Sequence, residues 1–242
     1  MIGVIGQKIG MTQVLNPVGE FWPVSVIKTG PARVTKILTK ERDGYSAIQI
    51  GFGDVKEKHL NKAQSESFKK TNVAPARILR EFRVTPEEAK AFTVGQEITA
   101  EVFAEGDFVD VHGRSIGKGF AGMIKRHHMH QGPKSHGSMH HRRIGSIGAS
   151  SFPSRTWPGH RMPGHMGNRN ETVQNLLVVG VNKEDNLLLV RGSVPGFDSS
   201  IVTVTKALKR QKIDIVQYLN RAKPGAAAAK KEAAAKKPAK KK

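Results

Sequence analysis

The sequence predicts a mainly β protein: a small closed barrel carrying one long, basic, irregular insertion and a few short helices. Three observations point there. Short runs rich in Val, Ile and Thr recur between Gly, Pro and Asp-Gly turns. Residues 111–170 hold ten Lys or Arg and no Asp or Glu, so charge is concentrated in one segment. Strand-like runs flank that segment, as expected of an insertion that leaves and re-enters a single domain.

The strand candidates follow in order. PVSVIKTG from Pro23, ARVTKILTK from Ala32 and YSAIQIGFG from Tyr45 are short, β-branched and bounded by turn residues. EITAEVF from Glu97 and DFVDVHG from Asp107 precede the insertion; VQNLLVVGV from Val173, NLLLVRGSV from Asn186 and SIVTVTKA from Ser200 follow it. Residues 183–186 join two apolar runs, a hairpin signal. Helix is predicted only for the polar stretch 61–71, for a short piece after Pro86, and for 213–222. Many short strands at this spacing suit a small barrel, and the chain shows no internal repeat. The predicted organisation is therefore a barrel domain from 1–110 and 171–221, an inserted segment 111–170, and a tail 222–242.

Charge narrows the partner. The 242 residues carry 40 Lys and Arg against 20 Asp and Glu, a formal +20 that repels itself unless a polyanion neutralises it. The insertion contributes +10 and the tail, with eight Lys and one Glu, +7, leaving +3 on the remaining body. A nearly neutral domain with two basic appendages is the layout expected of a protein that folds by itself and grips nucleic acid with extensions. The insertion also holds nine of the ten His and eleven of the 25 Gly, and too few apolar residues for a core of its own. No cysteine is present, which removes disulfides and thiolate metal sites and fits a reducing, intracellular compartment. MIGVIGQKIGMTQVL lacks a basic region before a long apolar one, and no window approaches the roughly 20 apolar residues of a membrane span.

Enzyme motifs fail on their details. GRSIGKG from Gly113 imitates a phosphate-binding loop but has three residues between its glycines instead of four, and Gly119 stands where Ser or Thr would hold Mg²⁺. His136 and His140 have the i,i+4 spacing of a zinc pair. HGSMH, however, lacks the glutamate of that chemistry, sits amid Gly and Pro, and has no carboxylate nearby. No Ser, His and Asp grouping can be placed. Neither a cofactor, a metal nor a small-molecule substrate is expected.

RNA binding accounts for the whole insertion. Gly117, Gly119 and Gly122 permit close backbone approach, and Lys118, Lys125 and Arg126 supply phosphate contacts. Lys134, Arg142, Arg143, Arg155, Arg161 and Arg169 continue them along its length. Phe152 and Trp157, with His127, His128, His130, His136, His140, His141, His160 and His165, offer flat faces for unstacked bases, and the imidazoles can also bond phosphate. Asn168 completes the set of candidate RNA contacts.

These residues also resemble a known family. GVIGQKIGMTQV, GPARVTKILTKERDGYSAIQIGFG, NVAPARILREFRV, GKGFAGMIKRH, GPKSHGSMHHRRIGSIG, RMPGHMGN and TVQNLLVV are similar, in order, to segments of the bacterial form of large-ribosomal-subunit protein three, the universal L-three family. The resemblance spans roughly the first 220 residues. It implies an elongation-factor-like barrel on the RNA surface of the large subunit and a finger reaching toward the peptidyl transferase centre. It further implies an early assembly role, partners in large-subunit ribosomal RNA and neighbouring ribosomal proteins, no catalysis, and a cytoplasmic place in the ribosome. By position, the outgoing limb of the finger is 118–143, the tip runs through Gly148, Ala149, Ser150 and Ser151 to Trp157, and the return limb is 161–169. Many bacterial members have a methylated glutamine after GSIG where this chain has Ala149, and SFPSRTWPGH replaces the family's usual tip elements.

The tail AKPGAAAAKKEAAAKKPAKKK is low in complexity and interrupted by Pro224, Gly225 and Pro238. It reads either as a disordered solubilising tail or as a nonspecific phosphate-binding arm. Taken alone it also favours a second function, a DNA-compacting or general RNA-chaperone protein. That reading predicts basic charge spread along the chain without a neutral barrel.

Overall fold

The computed structural model describes residues 3–16, 19–210 and 212–213. Their contacts divide them into two compact units, one built from the chain up to Arg114 and from Asn170 onward, the other Ser115–Arg169. Most of the helix predicted over 213–222, and all of the Lys-rich tail, lie outside the described residues.

In the first unit six strands close an antiparallel barrel: β1 (Gly3–Leu15), β2 (Phe21–Lys28), β7 (Phe108–Arg114), β10 (Asn170–Asn182), β11 (Leu187–Arg191) and β12 (Ile201–Lys206). Around the barrel the order is β1, β12, β7, β10, β11, β2. Closure leaves no open edge along the paired length. Val4, Ile5, Val24, Ile27, Val109, Val111, Val178, Leu188, Val190 and Val204 are all fully buried. Each such side chain contributes roughly 1.5–3 kcal/mol relative to exposure. Those burials are what the β-branched runs of the sequence encode.

Two strands of this unit escape a reading based on β-branched runs between turn residues. β1, GVIGQKIGMTQVL, is broken by three glycines, and one of them is required by packing. A Cβ on Gly3 would lie 2.2 Å from Phe82 Cε1, so Gly alone admits the ring. The other, β5 (Ala76–Arg83), reads ARILREFR and is mostly exposed, as an edge strand can be. It belongs to a separate four-stranded sheet ordered β5, β4 (Ala47–Asp54), β3 (Ala32–Leu38), β6 (Glu97–Ile98). The runs from Ala32, Tyr45 and Glu97 therefore form this second sheet and not the barrel wall. Of EITAEVF only Glu97 and Ile98 pair, against Arg33 and Ala32; the chain then turns through a short 3₁₀ stretch that buries Ala100. One apolar core joins sheet and barrel, with Val34, Ile48, Ile50 and Phe82 packed among Val4, Ile5 and Val204.

Helices are few and short. α2 (Lys62–Thr71) starts at Asn61, whose backbone N–H donates to Gln64 Oε1 at 3.4 Å, and stops at Asn72 in the left-handed region, φ 55°. α3 (Pro86–Lys90) has Thr85 as its cap and Pro at its start. α1 (Lys40–Asp43) is a single turn ended by Gly44.

Bulges bend the barrel, and polar groups hold them. In β10 the ladder to β7 shifts between Val173 and Leu176, where Asn175 has φ 58° and its N–H donates to buried Asp110 Oδ1 at 2.8 Å. In β1 the shift lies between Lys8 and Gly10. Buried Lys8 Nζ donates to Val194 O at 3.2 Å and Gly196 O at 3.0 Å, strapping the loop after β11 onto the wall. Among the described residues no helix is long and apolar enough to cross a membrane.

Candidate nucleic-acid interface

Strand pairing fixes where the insertion begins and ends. β7 and β10 stay paired as far as Arg114 opposite Asn170, so the barrel ladder extends beyond the sequence-based boundaries at 111 and 170. Within Ser115–Arg169 the two limbs run side by side. Ser115 N–H donates to Arg169 O at 2.9 Å and Asn168 N–H to Ser115 O at 3.1 Å. Next come Lys118 N–H to Met166 O and Met166 N–H to Gly119 O, both 2.9 Å. The short strands β8 (Phe120–Ala121) and β9 (Gly164–His165) continue the zipper, pairing Phe120 with His165. Glycine is needed here: Gly167 has φ 71°, and a Cβ on it would fall 2.1 Å from Ile116 O.

Beyond the zipper, α4 (Met123–His127) presents Lys125, Arg126 and His127 in one turn and ends at His128, φ 56°. Arg126 Nη1 donates to Met162 O at 2.7 Å, and His127 Nε2–H reaches the same oxygen at 3.1 Å. These two half-buried side chains therefore tie the limbs together as well as offering charge. A Cβ on Gly164 would lie 2.7 Å from Arg126 Nη1, so the bare backbone there seats the guanidinium. Farther out, Gly132 N–H donates to His141 O at 3.0 Å and His141 Nδ1–H to Pro133 O at 2.8 Å, which holds His140, His141 and Lys134 in one local turn. His136 has φ 60° and sits in a turn, so the i,i+4 spacing of His136 and His140 is not helical. Among the described residues no three His, Asp or Glu cluster as metal ligands would.

At the tip, Ser146 Oγ donates to Gly148 O at 3.0 Å and Ser154 Oγ to Ser151 O, while Gly148, Ala149, Ser150 and Ser151 are all exposed. Arg155 places its guanidinium 5.2 Å from the Trp157 ring, a cation–π pair whose ring remains 57% exposed. Phe152 is 84% exposed. Lys118, Lys125, His128, His130, Lys134, His136, His140, His141, Arg142, Arg143, Arg155, His160, Arg161, His165, Asn168 and Arg169 are exposed as well. One feature escaped the sequence reading. Phe120, 79% exposed two residues from Lys118, is a further flat face, and its place between glycines in GKGFAG was the available signal.

The electrostatics of this unit follow from composition. Its nine Lys and Arg have no carboxylate within the unit to pair with, because its sequence contains none. Only Ala121 and Met123 are buried in it. An exposed, acid-free, cationic pair of limbs with three exposed aromatic rings and seven exposed imidazoles can neutralise phosphates and stack bases; it holds no paired carboxylates for acid–base chemistry.

Comparison with known proteins identifies a family. Residues 85–187, which include the whole insertion, match the family model described as Ribosomal protein L3. The chain is 51% identical over 211 residues to large ribosomal subunit protein uL3 of Brachyspira hyodysenteriae, covering 87% of this chain and 96% of that one. It is 49% identical over 207 residues to the uL3 of Desulfitobacterium hafniense, covering 86% and 96%, and 47% identical over 207 residues to that of a Synechococcus species, covering 85% and 96%. At that identity and coverage, and with its mainly β barrel interrupted by a basic insertion, the chain belongs to the ribosomal protein L3 family.

Proposed function

We propose that this chain, a structural constituent of the large ribosomal subunit and not an enzyme, binds large-subunit ribosomal RNA through the limbs of Ser115–Arg169. The observation that carries the reading is the zippered, acid-free pair of limbs with nine cations and almost no buried side chain. Such a surface is stabilised by phosphate and repels itself without it. Phosphate contacts from Lys118, Lys125, Lys134, Arg142, Arg143, Arg161 and Arg169 set register, while Phe120, Phe152, Trp157 and the exposed His side chains engage bases. The barrel and its sheet are the folded body from which the limbs extend, and the tip from Gly148 to Trp157 reaches toward the peptidyl transferase centre. The chain joins the subunit early in assembly, when ribosomal RNA is still open to a finger, and works in the cytoplasmic ribosome.

Crosslinking in cells tests this directly. Abundant large-subunit ribosomal RNA fragments on residues 115–169 are expected; genomic DNA or a mixture of messages would support nucleic-acid compaction or chaperoning instead.

A further inference from the structure

The charge pattern has a complement. Residues 9–27, IGMTQVLNPVGEFWPVSVI, contain no Lys or Arg and a single acid, Glu20, in a chain with 40 basic residues. They form most of the β1–β2 arm, which projects past the closed part of the barrel: β1 pairs with β12 only over Gly3–Gln7, whereas its ladder to β2 continues to Leu15 opposite Phe21. One face of the arm is core, with Trp22 and Val24 buried beside Val14, Phe108 and Leu177. The opposite face alternates with it. There Met11 is 51%, Leu15 58% and Phe21 67% exposed, Pro23 is exposed opposite Gln13, and the bulge residue Ile9 is 51% exposed.

Two properties of this face identify what covers it. It offers phosphate no cation and presents Glu20, so RNA gains nothing there while apolar side chains stay wet. Along Ile9 to Leu15 the free edge of β1 has no strand beside it among the described residues, and no Lys or Pro guards it. An apolar face next to an open, unguarded edge is what an added strand requires.

We propose that the outer face of this arm, formed by Ile9, Met11, Leu15, Phe21 and Pro23, docks a neighbouring protein and not RNA, the partner presenting apolar side chains and an extended strand to the edge of β1. This rests on the reading of the chain as a constituent of a ribonucleoprotein particle, and it assigns the arm and the inserted limbs to different partners.

The test places a photocrosslinker in the full chain, Phe21→p-benzoylphenylalanine in one version and Trp157→p-benzoylphenylalanine in another, and irradiates large subunits that have incorporated it. The expected adduct at position 21 is with a second protein and withstands ribonuclease; the adduct at 157 is ribonuclease-sensitive. A ribonuclease-sensitive adduct, a dimer of this chain, or no adduct at 21, beside an RNA adduct at 157, overturns the docking inference alone. Loss of the RNA adduct at 157, or failure of the chain to sediment with large subunits, sinks the underlying reading, and the docking inference falls with it. As a second measurement the crosslinker is moved to Met11 in a Leu15→Glu, Phe21→Glu background, whose side chains are exposed and spare the core. Protein adduct at least tenfold below that of the unmutated arm is expected, and an unchanged yield contradicts the proposal.

Discussion

The barrel body and the inserted limbs solve opposite problems with the same chain. In the body, buried Val and Ile close six strands and surface cations meet acids: Arg33 lies 3.1 Å from Glu97 and 3.5 Å from Asp54, Lys36 3.2 Å from Asp43, and Lys183 3.2 Å from Glu101. In the limbs, backbone hydrogen bonds replace a core, and cations meet no acid of their own unit. On the proposed function, stability and recognition fall to separate stretches of sequence. Changes in the body should act on folding and changes in the limbs on binding.

The comparison breaks most visibly in the core. Ile50→Ala removes a fully buried side chain shared by sheet and barrel and should cost about 2–5 kcal/mol of unfolding free energy in denaturant titration. RNA affinity of the fraction that remains folded should be unchanged. Next in size is Asp110→Ala, which leaves the Asn175 N–H without its acceptor inside the β10 bulge and should cost about 1–3 kcal/mol. In the limbs the effect changes kind. Trp157→Ala should leave unfolding untouched and weaken RNA binding or shift the local RNA conformation by about 1–3 kcal/mol, read by equilibrium binding and by peptidyl-transfer rate in reconstituted subunits. Arg142→Gln should also spare folding and reduce the slope of log affinity against log salt by about 0.7–0.9, the value of one phosphate contact. The smallest effect belongs to the paired surface: Lys183→Ala breaks an exposed ion pair with Glu101 and should change stability by no more than about 0.5 kcal/mol.

Legibility differs between the two regions for physical reasons. All eight runs marked in the sequence hold a barrel or sheet strand, seven of them five residues or longer, because β-branched runs between turn residues report burial directly. The run from Glu97 shrank to two residues, since pairing stops where Ala100 turns into the core. Partner choice was not legible. The β-branched content of β3 and β4 says that they are buried, yet nothing in a local run tells whether it joins the barrel or the second sheet. β1 was hidden by Gly3, Gly6 and Gly10, and the need for Gly3 and Gly6 is set by residues far away in sequence, Phe82 and Ile27. In the limbs, charge and aromatic content could be read because no core competes for those residues. The dual role of Arg126 and His127 could not, because it depends on Met162 O, some 35 residues onward.

The body is expected to hold its fold without the limbs, and the strand register offers a clean way to test this. Arg114 and Asn170 are ladder partners, so replacing Ser115–Arg169 by a two-residue Asn-Gly turn converts β7 and β10 into an ordinary hairpin. Thermal unfolding of that deletion protein, followed by near- and far-ultraviolet circular dichroism, is the measurement. One cooperative transition within about 5 °C of the full chain is expected, equivalent to roughly 1–2.5 kcal/mol for a body of this size. Loss of the cooperative transition, with the near-ultraviolet signal gone, would show instead that the body depends on the limbs to fold.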